Sequence, residues 1–190
     1  MENNINVQVY SSCNCDCSFC HFKDKAYKKI NPQFVLDYLN AHDNIDYIVL
    51  TGGEPTFALD EYKAIVNGID KTKKRVILQT NGWWGNNETV KNAIKQYPPS
   101  VVHLSADSEK QKIISLNTLM EAYNFLKENG IITYVVDHTT NDDEYNTYKS
   151  IFPELKRGDV IYDDNINLHD CGPALLANNT VGNLNIKGWL

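Results

Sequence analysis

Residues 5 to 10, Ile-Asn-Val-Gln-Val-Tyr, alternate apolar and polar side chains with the period of a half-buried strand. Asn31-Pro32 then predicts a capped helix start with proline in the first turn, and Val35, Tyr38 and Leu39 mark its apolar face. Ile45 to Thr51 is a β-rich run that stops at a glycine pair, followed by Tyr62, Ile65, Val66 and Ile69 at helical spacing. Arg75 to Thr80 predicts a third strand, and Val90, Ala93, Ile94 and Tyr97 stripe a third helix that Pro98-Pro99 ends. Val101 to Ala106 reads as the fourth strand. The clearest helix carries Leu116, Leu119, Met120, Tyr123 and Leu126, opened by Ser115 and stopped at Gly130. A fifth strand over Ile131 to Asp137, a shorter helix around Tyr145 to Ile151 and a sixth strand at Asp159 to Tyr162 complete the rhythm.

Strands alternating with helices predict an α/β fold whose strands run parallel through right-handed crossovers. No linker or low-complexity stretch divides the chain. The expected organisation is a core over residues 1–163, with residues 164–190 as an irregular C-terminal extension packing on it, because the βα rhythm stops there. In parallel α/β folds ligands bind beyond the C-terminal ends of the strands. Four segments rich in chemistry fall at such ends: the cysteine run Cys13 to Cys20, Gly52-Gly-Glu-Pro55, Thr80-Asn-Gly82 and His103 to Asp107.

Composition narrows the partners. A net charge of −6 without a basic stripe argues against nucleic acid. Two local positive clusters, Lys71, Lys73, Lys74, Arg75 and Lys23, Lys25, Lys28, Lys29, read as solvated loop charge; the second is placed to help hold an anionic cofactor or an acidic peptide. No run has the length of a membrane span, and Met1-Glu-Asn-Asn lacks the basic start of a signal peptide. The expectation is a cytoplasmic protein with no membrane partner. Reduced thiols prevail in that compartment, so crowded cysteines there suggest metal rather than a disulfide frame.

Cys13, Cys17 and Cys20 have the spacing C-x3-C-x2-C, which suits a cubane iron–sulfur cluster whose fourth iron is open to a substrate or cofactor. The competing reading is a structural zinc site closed by Cys13, Cys15, Cys17 and Cys20. Zinc would demand a very tight C-x-C loop and would leave the other strand-end motifs unexplained.

The cysteine spacing after the first strand, with Gly52-Gly53-Glu54-Pro55 after the second, resembles the radical S-adenosylmethionine superfamily over residues 5 to 140. Asn81-Gly-Trp-Trp-Gly85 and His103-Leu-Ser-Ala-Asp-Ser108 resemble a branch of small single-domain members. The resemblance implies a partial, open βα barrel of about six parallel strands. It also implies a 4Fe–4S cluster, S-adenosylmethionine at the unique iron, and cleavage to methionine and a 5′-deoxyadenosyl radical that abstracts hydrogen. Cys13, Cys17 and Cys20 would hold the cluster, leaving Cys15 a bystander. Gly52 and Gly53 would let the backbone approach the cofactor, and a carbonyl or Glu54 would accept from its ammonium group. Phe19 would lie near the adenine. Ser105 and Asp107 would meet the ribose, with Asn81 beside them; in the plainer reading Ser105 or Asp107 caps the next helix and Asn81-Gly82 is a turn. His138 would face the same mouth, and His21 would cover or tune the cluster. Trp83 and Trp84 read as packing or lid residues. Cys171 is either an inert thiol, a hydrogen donor to a substrate radical, or one ligand of an incomplete second cluster.

The expected function is therefore a radical enzyme, with peptide modification such as epimerisation or crosslinking preferred. A glycyl-radical-enzyme activase and a deazapurine-forming or other small-molecule enzyme are the enzymatic alternatives. A redox-sensing iron–sulfur or zinc protein is the non-enzymatic one. The partners implied are a peptide or small-molecule substrate and an external electron donor such as flavodoxin or ferredoxin.

Overall fold

The computed structural model describes residues 4–18, 20, 27–138, 141–158, 160–163, 166–169 and 172–184. Five strands form its centre: β1 (Asn4–Tyr10), β2 (Tyr47–Gly52), β3 (Arg75–Thr80), β4 (Val101–Ser105) and β5 (Ile132–Asp137). They lie in chain order, each pairing parallel with the next. Helices α1 (Pro32–Ala41), α2 (Leu59–Gly68), α3 (Glu88–Gln96), α5 (Leu116–Glu128) and α6 (Asp142–Ile151) fill the connections, with a short α4 (Ser108–Gln111) preceding α5. Two 3₁₀ turns, Pro55–Phe57 and Trp83–Asn86, follow β2 and β3.

The period of two along each strand decides what meets the helices. Ile5, Val7 and Val9 of β1 join Ile48 and Leu50 of β2 in the main core. Val49, Ile77 and Val101 point to the opposite face, where a smaller cluster includes Tyr47 and Tyr134. The helices begin where capping chemistry predicts. Asn31 accepts from the Gln33 amide, Asn87 from Val90 and Ser115 from Thr118, each supplying an acceptor to an otherwise orphaned N–H.

Beyond α6 the structure departs from the sequence-based expectation. The sixth parallel strand, β6, is only Lys156–Arg157, paired with β5. Gly158 then takes a φ of +113° and donates to the Asp137 carbonyl, which ends the parallel pairing. The run expected as the sixth strand is instead β7 (Val160–Asp163), which forms an antiparallel hairpin with β8 (Ile166–His169). An apolar β-rich run reads the same in either setting, because periodicity does not name the pairing partner. β7 comes within 8 Å of β4, Cα to Cα; β4 is flanked on both sides by strands, so that approach is across a face of the sheet.

Residues 172–184 are not irregular either. β9 (Gly172–Leu175) pairs parallel with the outer edge of β1, and β10 (Val181–Leu184) returns antiparallel to β9. The Asn-rich stretch is turn chemistry. Thr180 donates to Asn178 Oδ1 through both its amide and hydroxyl, and Asn179 adopts a left-handed φ of 62°. The main sheet runs β10-β9-β1-β2-β3-β4-β5-β6 and does not close. No helix among the described residues is long and apolar enough to cross a membrane.

Candidate active site

The cysteine loop leaves β1 at Ser11 and returns beside it. Ser11 donates to the Lys28 carbonyl at 2.9 Å, the Lys28 amide donates back to Ser11 Oγ at 2.9 Å, and Ile30 donates to the Val9 carbonyl at 3.1 Å. Within the loop the Cys20 amide donates to the Cys17 carbonyl at 3.1 Å, so the C-x2-C segment is a closed turn. Cys13, Cys15, Cys17 and Cys20 gather in one cluster with Ile114 and Trp83. Cys15 bonds the thiols of both Cys13 and Cys17; this contact lowers the pKa of those two and raises that of Cys15. Among the described residues no three His, Cys, Asp or Glu side chains are already closed into a metal cage.

The glycine pair touches this loop directly. The Gly53 amide donates to Tyr10 O at 2.7 Å and the Glu54 amide to Ser12 O at 2.8 Å. A Cβ on Gly53 would sit 1.9 Å from Ser12 O, and Gly52 has a φ of +116° with Tyr10 O 2.6 Å from where its Cβ would be. The close approach that these glycines permit is therefore, in this structure, between two protein segments.

Glu54 is turned inward and is 1% exposed. Its Oε1 accepts from the Thr56 amide (3.2 Å), Thr56 Oγ1 (2.6 Å) and Thr80 Oγ1 (2.8 Å), and its Oε2 from the Asn81 amide (2.8 Å). Burial pushes its carboxyl above the usual range, and the bonds from Asn81, Thr56 and Thr80 pull the other way. Glu54 thus ties the end of β2 to the end of β3. Asn81 continues the tie: its Nδ2 donates to Asn14 Oδ1 at 2.8 Å and lies 3.4 Å from Cys13 Sγ, while its Oδ1 accepts from the Trp83 amide. The two tryptophans pack. Trp84 is fully buried and donates to Thr80 Oγ1, whereas Trp83 stacks on Phe57 at 4.4 Å and donates to Thr56 Oγ1.

At the end of β4, Ser105 lies nearly buried. Asp107 is completely buried and caps α4 by accepting from the Lys110 amide at 3.0 Å, which is the plainer of its two sequence readings. Lys110 Nζ forms an ion pair with the same carboxylate. Burial opposes the Lys110 charge, but Asp107 and the Cys17 thiol outweigh it and hold the ammonium above its usual range. His138, following β5, is half-buried; burial first, then the charges of Lys110 and His103, push its pKa down to about 3. Its imidazole is neutral at physiological pH.

Lys110 and the extent of α4 escaped the sequence reading, which offered only a helix after Asp107. A four-residue helix is too short to show a stripe, and the only available signal was an aspartate three residues before a lysine. Phe19, His21 and Cys171 lie outside the described residues.

The Radical SAM superfamily model matches residues 7–151. No curated protein matches the chain by sequence. Among solved structures, a polyhistidine-tagged anSMEcpe with bound AdoMet superposes with a TM-score of 0.62 at 18% identity, covering 81% of this chain and 50% of that one. Native anSMEcpe with bound AdoMet and Cp18Cys peptide gives 0.63 at 16% identity, with the same coverage. BtrN in complex with AdoMet and 2-DOIA gives 0.55 at 16% identity, covering 95% of this chain and 72% of that one. At such identities the likeness concerns the fold. The chain spans about half the length of the anSMEcpe structures.

Proposed function

Because the chain belongs to the radical S-adenosylmethionine superfamily, we propose that it is a radical enzyme acting on a peptide, with Cys13, Cys17 and Cys20 as the ligands of its 4Fe–4S cluster. When bound, the cluster and S-adenosylmethionine supply a 5′-deoxyadenosyl radical able to take hydrogen from an unactivated position. The observation that carries the reading is the Cys17–Cys20 turn in a loop pinned by backbone hydrogen bonds to the Gly53–Glu54 segment. The residues fit the cofactors on their own chemistry. Three thiols at C-x3-C-x2-C spacing share a loop at the C-terminal end of β1, and neighbouring strand ends offer backbone polar groups beside it.

The contacts around the loop support a division of labour among these residues. Glu54 spends both carboxylate oxygens on the protein's own loops, so the cofactor's ammonium group falls to backbone carbonyls of the Gly52–Gly53 edge. Asn81 orients the Cys13 end of the loop, and Asp107 serves the site through Lys110. Ser105 is the ribose partner that keeps a hydroxyl without a helix to cap. His138, neutral, lines the same mouth as a hydrogen-bonding group.

Two features support a peptide substrate. The sheet stays open, leaving room for an extended chain, and one of the fold's neighbours holds a peptide. The reaction draws its electron from an external donor such as flavodoxin or ferredoxin. The test is anaerobic reconstitution with iron and sulfide, reduction in the presence of S-adenosylmethionine, and measurement of 5′-deoxyadenosine. Cys17→Ala abolishes the product, whereas Cys15→Ala largely preserves it. Equal loss in the two variants would overturn the ligand assignment.

A further inference from the structure

Three successive residues of α4 each reach a different part of the molecule. Ser108 is held from α6, its amide and hydroxyl both donating to the Glu144 carboxylate, the hydroxyl at 2.8 Å. Lys110 turns back to Asp107 beside the Cys17 thiol. Between them, Glu109 reaches across 91 residues of sequence to Ser18. One carboxylate oxygen accepts from the Ser18 amide and the other from its hydroxyl, the latter at 2.9 Å.

Ser18 is the second residue of the Cys17–Cys20 turn. In a turn closed by the bond from the fourth amide to the first carbonyl, the second residue's amide has no partner within the turn. Glu109 supplies one, and the serine hydroxyl makes the contact two-pronged. A two-point contact fixes orientation as well as distance, and it acts on the segment between two proposed cluster ligands. Ile114, four residues after Lys110, packs on Cys15 and Cys17 from the same stretch of chain.

We infer that Glu109 is a positioning residue for the cluster: by gripping Ser18 it preorganises the turn that carries Cys17 and Cys20. The inference rests on the cluster ligands proposed above. The contribution is entropic in origin, since a turn whose backbone is already held loses less freedom when its two thiolates take up the cluster. Partners that orient metal ligands govern metal retention in the same way, and their loss costs about tenfold to a hundredfold in affinity. Glu144, through Ser108, ties α4 to α6 and so extends the chain of contacts from the cysteine loop to the helix that follows β5. Lys110, paired with Asp107, places a positive charge beside the Cys17 thiol, opposite in sign to the Asp107 and Glu109 carboxylates that also act on it.

The experiment uses the full chain reconstituted anaerobically, comparing wild type with Glu109→Ala, Glu109→Gln, Ser18→Ala and the Ser18→Ala/Glu109→Ala double variant. The readouts are the rate of iron loss to a ferrous chelator, the electron paramagnetic resonance spectrum of the reduced cluster with and without S-adenosylmethionine, and the melting temperature of the apo-protein. Glu109→Ala is expected to lose iron about tenfold faster. Glu109→Gln, which keeps one acceptor oxygen, falls between it and wild type. The double variant does less than the two single effects added together, because both remove one contact. The cofactor-induced change in the spectrum broadens, while the apo-protein melts as wild type does. Iron retention by Glu109→Ala indistinguishable from wild type overturns the inference. So does additive loss that tracks a falling apo-protein melting temperature, which would mark an ordinary packing contact. A wild-type chain that takes up no cluster at all refutes instead the radical reading on which this one rests.

Discussion

At the scale of the residue, Glu54 and the glycines before it show how a motif can be legible while its partners are not. Gly-Gly-Glu at a strand end was readable as a candidate part of a site. Nothing in those residues says that the missing Cβ of Gly53 accommodates the backbone of Ser12, or that the carboxylate faces Thr56, Thr80 and Asn81. Those partners come from other loops, and only the folded sheet brings them within hydrogen-bonding distance. The consequence is measurable. Replacing Glu54 by alanine orphans the buried Asn81 amide and removes the other bonds, so the apo-protein loses about 2–3 kcal/mol in urea unfolding. Glu54→Gln loses less, since its carbonyl oxygen still serves the two threonines. Wild-type stability in the alanine variant would show that the carboxylate is no anchor. The cysteines were legible in a stronger sense, because their spacing is local and the turn from Cys17 to Cys20 closes on itself.

At the scale of the element, long helices with a stripe and a cap were predictable, as α1 and α5 show with Asn31 and Ser115 at their heads. Short elements were not. α4 has no apolar face to read, and its position depends on Glu144 and Ser18, distant in sequence. The Trp83–Asn86 turn lies between these cases. Its tryptophans announced packing, but the tightness of that packing is a matter of backbone contact. A Cβ on Gly85 would come 1.9 Å from the Thr118 carbonyl of α5 and 2.9 Å from the Ala122 amide. Gly85→Ala must therefore push the turn away from α5, at a cost of about 1–3 kcal/mol typical of overpacking. Calorimetry would record the lower melting temperature; an unchanged one would mean that the turn and α5 separate freely.

At the scale of the whole molecule, β1 bears the cysteine loop at its end and would be an edge strand without β9. An uncovered edge presents unpaired amides and carbonyls to other chains. A truncation ending at Asp163 removes β8, β9 and β10 together. It is expected to elute as a larger species than the full chain in size-exclusion chromatography and to lose the amide-exchange protection that the full chain keeps along β1. A truncation that associates no more than the full chain, with undiminished protection, would show that β9 contributes nothing to that edge. What the sequence determined by itself is whatever depends on neighbours along the chain: the period of each strand and helix, the caps, the thiol spacing and the parallel α/β class. Tertiary structure decided everything that depends on approach between distant segments. It turned the expected sixth strand into a hairpin, laid the Asn-rich tail beside β1, turned Glu54 inward and set Glu109 on Ser18. The physical reason is that periodicity records which side of an element is buried but not what buries it; hydrogen-bond partners are chosen by proximity in space, which only the closed fold defines.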